Sequence, residues 1–349
     1  GVEVEITREP VGVVGIIAPW NFPLAIPAWK IAPALAFGNT VVFKPAEIVP
    51  GCAWALAEIL SRAGLPEGVF NMVLGSGRTV GQALVAHPKL DALTFTGSVP
   101  TGRALLEQAA GRALKVQMEM GGKNPLVVLA DADLDQAVEC AVNGAFFSTG
   151  QRCTASSRLI VEAAVYDRFV VKMQARMAQL RVGDPLDPQV HIGPVASQAQ
   201  LDTDLGYIRA GHEDGAELLA GGGRVDCPTR GHFLAPTLFA ARASDRISRE
   251  EIFGPVAALL RAADYEHALA LANDTEFGLC AGICTTSLRH ATHFKRHAQA
   301  GMVMVNLPTA GVDPHVPFGG RKASSYGPRE QGRYAVEFYT TVKTAYTSA

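Results

Sequence analysis

Apolar runs of four or five residues recur along this chain, each ended by glycine, proline or a polar residue and followed by a helical stretch. Val13-Val14-Gly15-Ile16-Ile17, Thr40-Val41-Val42-Phe43, Val69-Phe70-Asn71-Met72-Val73, Ala92-Leu93-Thr94-Phe95 and Lys115-Val116-Gln117-Met118 read as strands. Helices are expected between them at 26–37, 53–63, 79–86 and 101–110. Short uninterrupted apolar runs suit strands covered on both faces, and their alternation with helices predicts βαβ units and a parallel sheet. Its crossovers should be right-handed, and ligands belong outside the carboxyl ends of its strands.

The pattern restarts at 124–130. Helices are expected at 134–147 and 166–180, with a strand at 158–162 between them. Pro185, Pro188 and Pro194 mark a long connection, after which strand and helix alternate through 256–260, 265–273, 281–285, 288–297 and 302–305. A second α/β lobe follows, with the boundary near Gly121-Gly122. The opening alternation Val2-Glu3-Val4-Glu5-Ile6 reads as a strand already under way, and the β-branched, aromatic tail 336–346 as its partner. The fold class is therefore α/β, two lobes each with a mainly parallel sheet, plus a small extra sheet whose open edges invite oligomerisation.

With 349 residues, 48% of them hydrophobic, the chain can fill two cores. The net charge of -2, with signs interspersed, gives no field for nucleic acid, and no apolar run is clean enough to span a membrane. Six cysteines without a CxxC pair read as reduced thiols, which places the protein in the cytoplasm. His290, His293 and His297 share a helical spacing, but their neighbours are basic and no carboxylate is near; they read as a solvated face, and no metal is expected.

Several stretches carry chemistry. In Phe146-Phe147-Ser148-Thr149-Gly150-Gln151-Arg152-Cys153-Thr154 one cysteine sits in a small polar loop after a helix-like run. Arg152 and local N–H groups could favour its thiolate, although a lone cysteine is also an ordinary small hydrophobe. Phe95-Thr96-Gly97-Ser98 ends a strand and opens a helix; Ser98 can cap that helix, Gly97 allows close approach, and a pyrophosphate fits there, as does an ordinary turn. Lys44 and Glu47 follow another strand and could hold ribose hydroxyls, or form a solvated ion pair; a carboxylate there repels a 2′-phosphate and favours NAD over NADP. Gly75, Gly77 and Gly81 give GxGxxxG, one residue off the dinucleotide fingerprint. Glu119, between two methionines and beside Gly121-Gly122, is either a desolvated general base or the partner of Lys123 at the surface. Asn21, held between aromatic and proline residues, suits an oxyanion donor or a turn asparagine.

Together these stretches resemble one family, the NAD(P)-dependent aldehyde dehydrogenases. The resemblance runs from Pro10 to Tyr346 and rests on Pro19-Trp20-Asn21-Phe22-Pro23, Lys44-Pro45-Ala46-Glu47, Phe95-Thr96-Gly97-Ser98, Met118-Glu119-Met120-Gly121-Gly122-Lys123, Gly150-Gln151-Arg152-Cys153 and Glu251-Ile252-Phe253-Gly254-Pro255, with Val316-Pro317-Phe318-Gly319-Gly320 and Arg329-Glu330 also matching. It implies that Cys153 is the nucleophile, Asn21 an oxyanion donor, Glu119 the base that activates water, and Lys30 and Glu330 a proton relay. It implies NAD or NADP as cofactor, held by Ile17, Pro19, Trp20, Lys44, Glu47, Gly77, Phe95, Gly97, Ser98, Glu251 and Phe253. Arg152, by charge alone, and Phe147 are candidate substrate contacts. The implied domains are 1–10 and 325–349 for oligomerisation and the C-terminal return, 11–121 a Rossmann-like cofactor domain, and 122–324 the catalytic domain. The implied partners are a small-molecule aldehyde and further copies of the chain, as a dimer or tetramer.

Family chains carry a further N-terminal portion that completes the cofactor domain, expected to be absent here. Within the family, 26–30 and 306–310 look most like bacterial α-ketoglutaric semialdehyde (2,5-dioxopentanoate) dehydrogenases, with succinate semialdehyde or another aldehyde as the alternative. A cysteine hydrolase, a silent homologue and a CoA-acylating relative are the rival readings. The cofactor-like turns, the set Cys153, Glu119 and Asn21, and the water-activating role of Glu119 respectively argue against them.

Overall fold

The computed structural model describes residues 1–348. In chain order its elements are β1 (Val2–Pro10), β2 (Val13–Ile17), α1 (Ala25–Ala36), β3 (Thr40–Lys44), α2 (Pro50–Arg62), β4 (Phe70–Met72), α3 (Gln82–Ala86), β5 (Ala92–Thr96), α4 (Val99–Ala110) and β6 (Lys115–Glu119). There follow β7 (Asn124–Val128), α5 (Leu134–Phe146), β8 (Ser156–Glu162), α6 (Tyr166–Met177), α7 (Gln198–Glu213), β9 (Glu217–Ala220), β10 (Thr237–Ala240), α8 (Arg246–Arg249) and β11 (Val256–Ala262). The remainder are α9 (Tyr265–Asn273), β12 (Phe277–Gly278), β13 (Cys280–Cys284), α10 (Leu288–His297), β14 (Met302–Val305), β15 (Arg321–Lys322), β16 (Ser325–Tyr326), α11 (Val336–Tyr339) and β17 (Thr340–Ser348). Two compact units form: Gly1–Met120 with Asp313–Gly319 and Ser325–Ala349, and Gly121–Val312 with Gly320–Ser324.

The first unit is built on a sheet of order β16-β6-β5-β2-β3-β4, parallel except for β16. All five residues of β5 are buried, as a central parallel strand requires. Val14, Ile16, Val41 and Phe43 of the sheet pack on Ile26, Ile31 and Ala34 of α1 and on Phe338 and Tyr339 of α11. That last packing corrects the expected strand over 336–346: its first four residues form a helical turn, because Phe338 and Tyr339 must enter this core. Only then does β17 pair antiparallel with β1, from Val2 opposite Ser348 to Pro10 opposite Thr340. The helix expected at 79–86 is also divided, into a π-helical turn Gly77–Gly81, whose N-cap Ser76 accepts from the Thr79 amide, and α3.

The second unit holds a sheet of order β14-β13-β7-β8-β11-β10-β9, parallel except for β9. β7 and β13 are buried at every residue. The long connection expected around Pro185–Pro194 is shorter than the sequence suggests, because α7, β9, β10 and α8 lie between it and β11. The apolar face of α7, with Leu201 and Ile208, is interrupted by a buried Asp204 and by Gly211, which hides its period.

Candidate active site

In the second unit, α5 delivers the chain to Phe147, half-buried, and then to Ser148, Thr149 and Gly150, whose φ values are 54°, 58° and 66°. Side chains disfavour this left-handed run, so it persists only where the surroundings hold it. Thr149 Oγ1 donates to Gly193 O at 3.1 Å, and Gln151 Oε1 accepts from the Ala196 amide at 2.8 Å. A Cβ on Gly150 would lie 2.2 Å from Gly254 O, so glycine is required there.

Cys153, partly exposed, follows this turn. Its carbonyl accepts from Asn124 Nδ2 at 2.8 Å, and the same amide donates to Ala155 O at 2.9 Å while Asn124 Oδ1 accepts from the Cys280 amide at 2.9 Å. Thr309 Oγ1 donates to Thr154 O at 2.7 Å. A Cβ on Gly122 would meet Cys153 O at 2.5 Å. Three consecutive carbonyls of the cysteine loop are thus fixed from β7 and from 309. Sequence reasoning missed Asn124 and Thr309 as supports, because their spacing from Cys153 carries no local signal. Arg152 has the contacts of a brace: its guanidinium donates to Asn143 O and to Gly144 O on α5, and burial pulls its pKa down to about 10.

Glu251 accepts from the Gly122 amide at 2.8 Å, and a Cβ on Gly121 would lie 2.0 Å from its Oε2. Burial raises its pKa to about 7, against the Gly122 hydrogen bond and the charge of Lys123. Phe253 is held at φ 61°. Lys123 is fully buried, and burial together with Arg158 lowers its pKa to about 7.

In the first unit, Glu119 ends β6 and is 3% exposed, which removes the reading of it as half of a surface ion pair. Its Oε2 accepts from Ser325 Oγ at 2.6 Å. Burial and the nearby Glu330 carboxylate push its pKa well above the usual range, with Ser325, Lys30 and Arg329 opposing. Behind it runs a buried polar chain: Gln117 Nε2 donates to Glu119 Oε1 at 3.4 Å, Thr94 Oγ1 donates to Gln117 Oε1 at 2.5 Å, and Lys30 Nζ donates to Thr94 Oγ1 at 2.8 Å and to Glu330. Lys30 and Glu330 form a buried ion pair. Thr94 and Gln117 read from sequence only as strand residues; their burial on β5 and β6 gives them this linking place.

Past the carboxyl ends of β2 and β5 lies a cleft of about 500 Å³ lined by Ile17, Gly77, Arg78, Phe95, Thr101 and Leu105 among others. Ser98 stands at the N-cap of α4, but its hydroxyl is turned to Thr101 Oγ1 at 3.0 Å and caps no amide, contrary to the expected cap. No side-chain oxygen caps the first turn of α4, and Pro100 within it carries no N–H. Gly97 follows at the strand end, with a Cβ there meeting the Phe95 ring at 2.5 Å. Glu47 accepts from the Gly77 amide at 3.0 Å, and Lys44, buried rather than in a solvated turn, donates to Pro45 O at 3.0 Å. Burial lowers the pKa of Lys44 and Glu47 counters it. Pro19, Trp20 and Asn21 occupy the half-buried turn after β2.

The model of the aldehyde dehydrogenase family matches residues 1–345, and the chain belongs to that family. It is 48% identical over 344 residues to the α-ketoglutaric semialdehyde dehydrogenase of Bacillus subtilis (strain 168), covering 97% of this chain and 70% of that one. It is 45% identical to the 2,5-dioxopentanoate dehydrogenase of Saccharolobus solfataricus over 343 residues, 97% of this chain and 71% of that one. Among solved structures, HpcC from Thermus thermophilus superposes with a TM-score of 0.96 at 46% identity, over 99% of this chain and 68% of that one. Betaine aldehyde dehydrogenase from Staphylococcus aureus in complex with NAD+ does so with 0.96 at 35% identity, over 99% and 69%. Among the described residues no helix is long and apolar enough to cross a membrane.

Proposed function

We propose that this chain oxidises a semialdehyde, α-ketoglutaric semialdehyde first among candidates, to the carboxylic acid with NAD+. The curated relatives named for this substrate, at 45–48% identity over nearly the whole chain, support the choice. The Cys153 thiolate attacks the aldehyde carbon and forms a thiohemiacetal, whose oxyanion the Asn21 amide and the Cys153 N–H receive. A bound nicotinamide supplies the acceptor for the hydride that leaves this carbon. The thioester left on Cys153 is hydrolysed by water that Glu119 deprotonates, and the thiolate departs; the Lys30–Glu330 pair is the proposed relay for the proton taken up.

The observation that carries this reading is the Glu119 carboxyl: buried, hydrogen-bonded to Ser325 and raised in pKa, it has the basicity that deprotonating water requires. The donor set suits the dinucleotide. The uncapped α4 turn and the apolar cleft would take pyrophosphate and adenine, Lys44 and Glu47 the ribose, and Glu251 and Phe253 the nicotinamide riboside. The Glu47 carboxylate supports NAD+ over NADP+. The exposed Val2, Val4, Ile6, Val342 and Tyr346 of the β1–β17 ribbon support a homo-oligomer, dimer or tetramer, and the free thiols a cytoplasmic setting. NADH formation with α-ketoglutaric semialdehyde tests the reading: turnover supports it, and none with any semialdehyde refutes it.

A further inference from the structure

A buried carboxyl on α7 stands outside this chemistry. Asp204, halfway along α7, is fully buried on the face that carries Leu201 and Ile208 into an apolar core with Phe239, Ile252 and Val256. Its Oδ1 accepts from Gln200 Nε2 at 2.8 Å, while its Oδ2 has no hydrogen-bond partner. Gln200 Nε2 also donates to Ile252 O at 3.2 Å. The carboxyl presses directly on Gly254, where a Cβ would meet Oδ1 at 2.2 Å and Oδ2 at 2.4 Å. Gly254 O is also closed in by Gly150, from the turn that leads to Cys153.

Between the two gripped residues lies Phe253 at φ 61°, a conformation that a phenylalanine holds only when its neighbours are immobilised. A carboxyl at this place is costly: burial raises its pKa to about 7, opposed by the Gln200 hydrogen bond, and an apolar side chain would carry no such burden. Packing alone therefore gives no reason for it.

We propose that Asp204 and Gln200 are positioning residues for cofactor binding. They clamp Ile252 and Gly254, and so hold Phe253 left-handed and Glu251 beside it in the geometry that receives the nicotinamide riboside. The inference rests on the reading of Glu251 and Phe253 as cofactor contacts.

The test is NAD+ titration by calorimetry without aldehyde, beside thermal melting. D204L removes the acceptor for Gln200 but is bulkier than aspartate, so melting is read first to show that it folds; it is expected to bind NAD+ about tenfold more weakly, the scale of one lost buried hydrogen bond. D204N retains an acceptor and binds as wild type. Should D204L fail to fold, Q200M removes the other half of the clamp with the same expected loss. Wild-type affinity in D204L or Q200M, or a D204N as weak as D204L, overturns the clamp. F253A separates the two levels. If it weakens binding while the clamp variants do not, only the clamp falls. If it too binds as wild type, the reading of the segment falls and the clamp with it.

Discussion

The side-chain amide of Asn124 donates to the carbonyl of Cys153 at 2.8 Å, and its oxygen accepts from the Cys280 amide at 2.9 Å. One asparagine at the start of β7 thereby ties the candidate nucleophile to the neighbouring strand β13. Asn124→Ala removes the partner of three backbone groups, those two and Ala155 O. Each buried group left unsatisfied costs about 1–3 kcal/mol. The expected outcome is a loss of about 3 kcal/mol in denaturant unfolding and a fall in kcat larger than any rise in KM.

Glu119 predicts a pH dependence in two readouts. Activity needs the carboxylate, so thioester hydrolysis falls as pH drops through a pKa that lies above the ordinary carboxylate range. Stability runs the other way. A folded-state pKa raised above the unfolded 4.5 means that wild-type stability declines as pH rises from there to the folded pKa. Glu119→Gln lacks that burden, so its stability advantage over wild type should grow across the window and vanish below it. A constant difference in melting temperature at all pH values would contradict the assignment.

The Lys30–Glu330 pair is buried at both ends. Lys30→Met leaves the Glu330 carboxylate without its counter-charge, a loss of about 3–5 kcal/mol, whereas Lys30→Met with Glu330→Met recovers most of it. Urea unfolding of both variants checks this. A double variant no better than the single would mean that the pair stabilises for reasons other than charge.

In the proposed reading the Glu47 carboxylate favours NAD+ over NADP+. Glu47→Gln removes the charge that would repel a 2′-phosphate while keeping an acceptor for the Gly77 amide. The ratio of kcat/KM for NAD+ over NADP+ should fall about tenfold, as for one screened charge contact at close range. An unchanged ratio would place the discrimination elsewhere.

How far the sequence reached depends on how local each signal is. Strand β5 was legible because an apolar run between polar stops has few other readings, and β6 as the next step of the strand–helix alternation; with them came Phe95 and Glu119 at their carboxyl ends. α7 was not, because Asp204 and Gly211 interrupt its apolar face with residues chosen for contact with Gly254 and Phe239. Ser98 occupies the N-cap position as its type suggests, yet its hydroxyl turns to Thr101. Arg152 was read by charge, and its guanidinium is engaged by α5 carbonyls. The supports of Cys153 lie about 30 and 155 residues away, at Asn124 and Thr309, and no pattern of spacing announces such partners.

In the proposed reaction a thioester forms on Cys153 and Glu119 directs water to it. Glu119→Gln, mixed with NAD+ and α-ketoglutaric semialdehyde and examined by intact-protein mass spectrometry and NADH absorbance, tests it most directly. The expected result is one NADH per active chain, then near arrest, with an acyl adduct that Cys153→Ala abolishes. Sustained turnover, or neither NADH burst nor adduct, would contradict it.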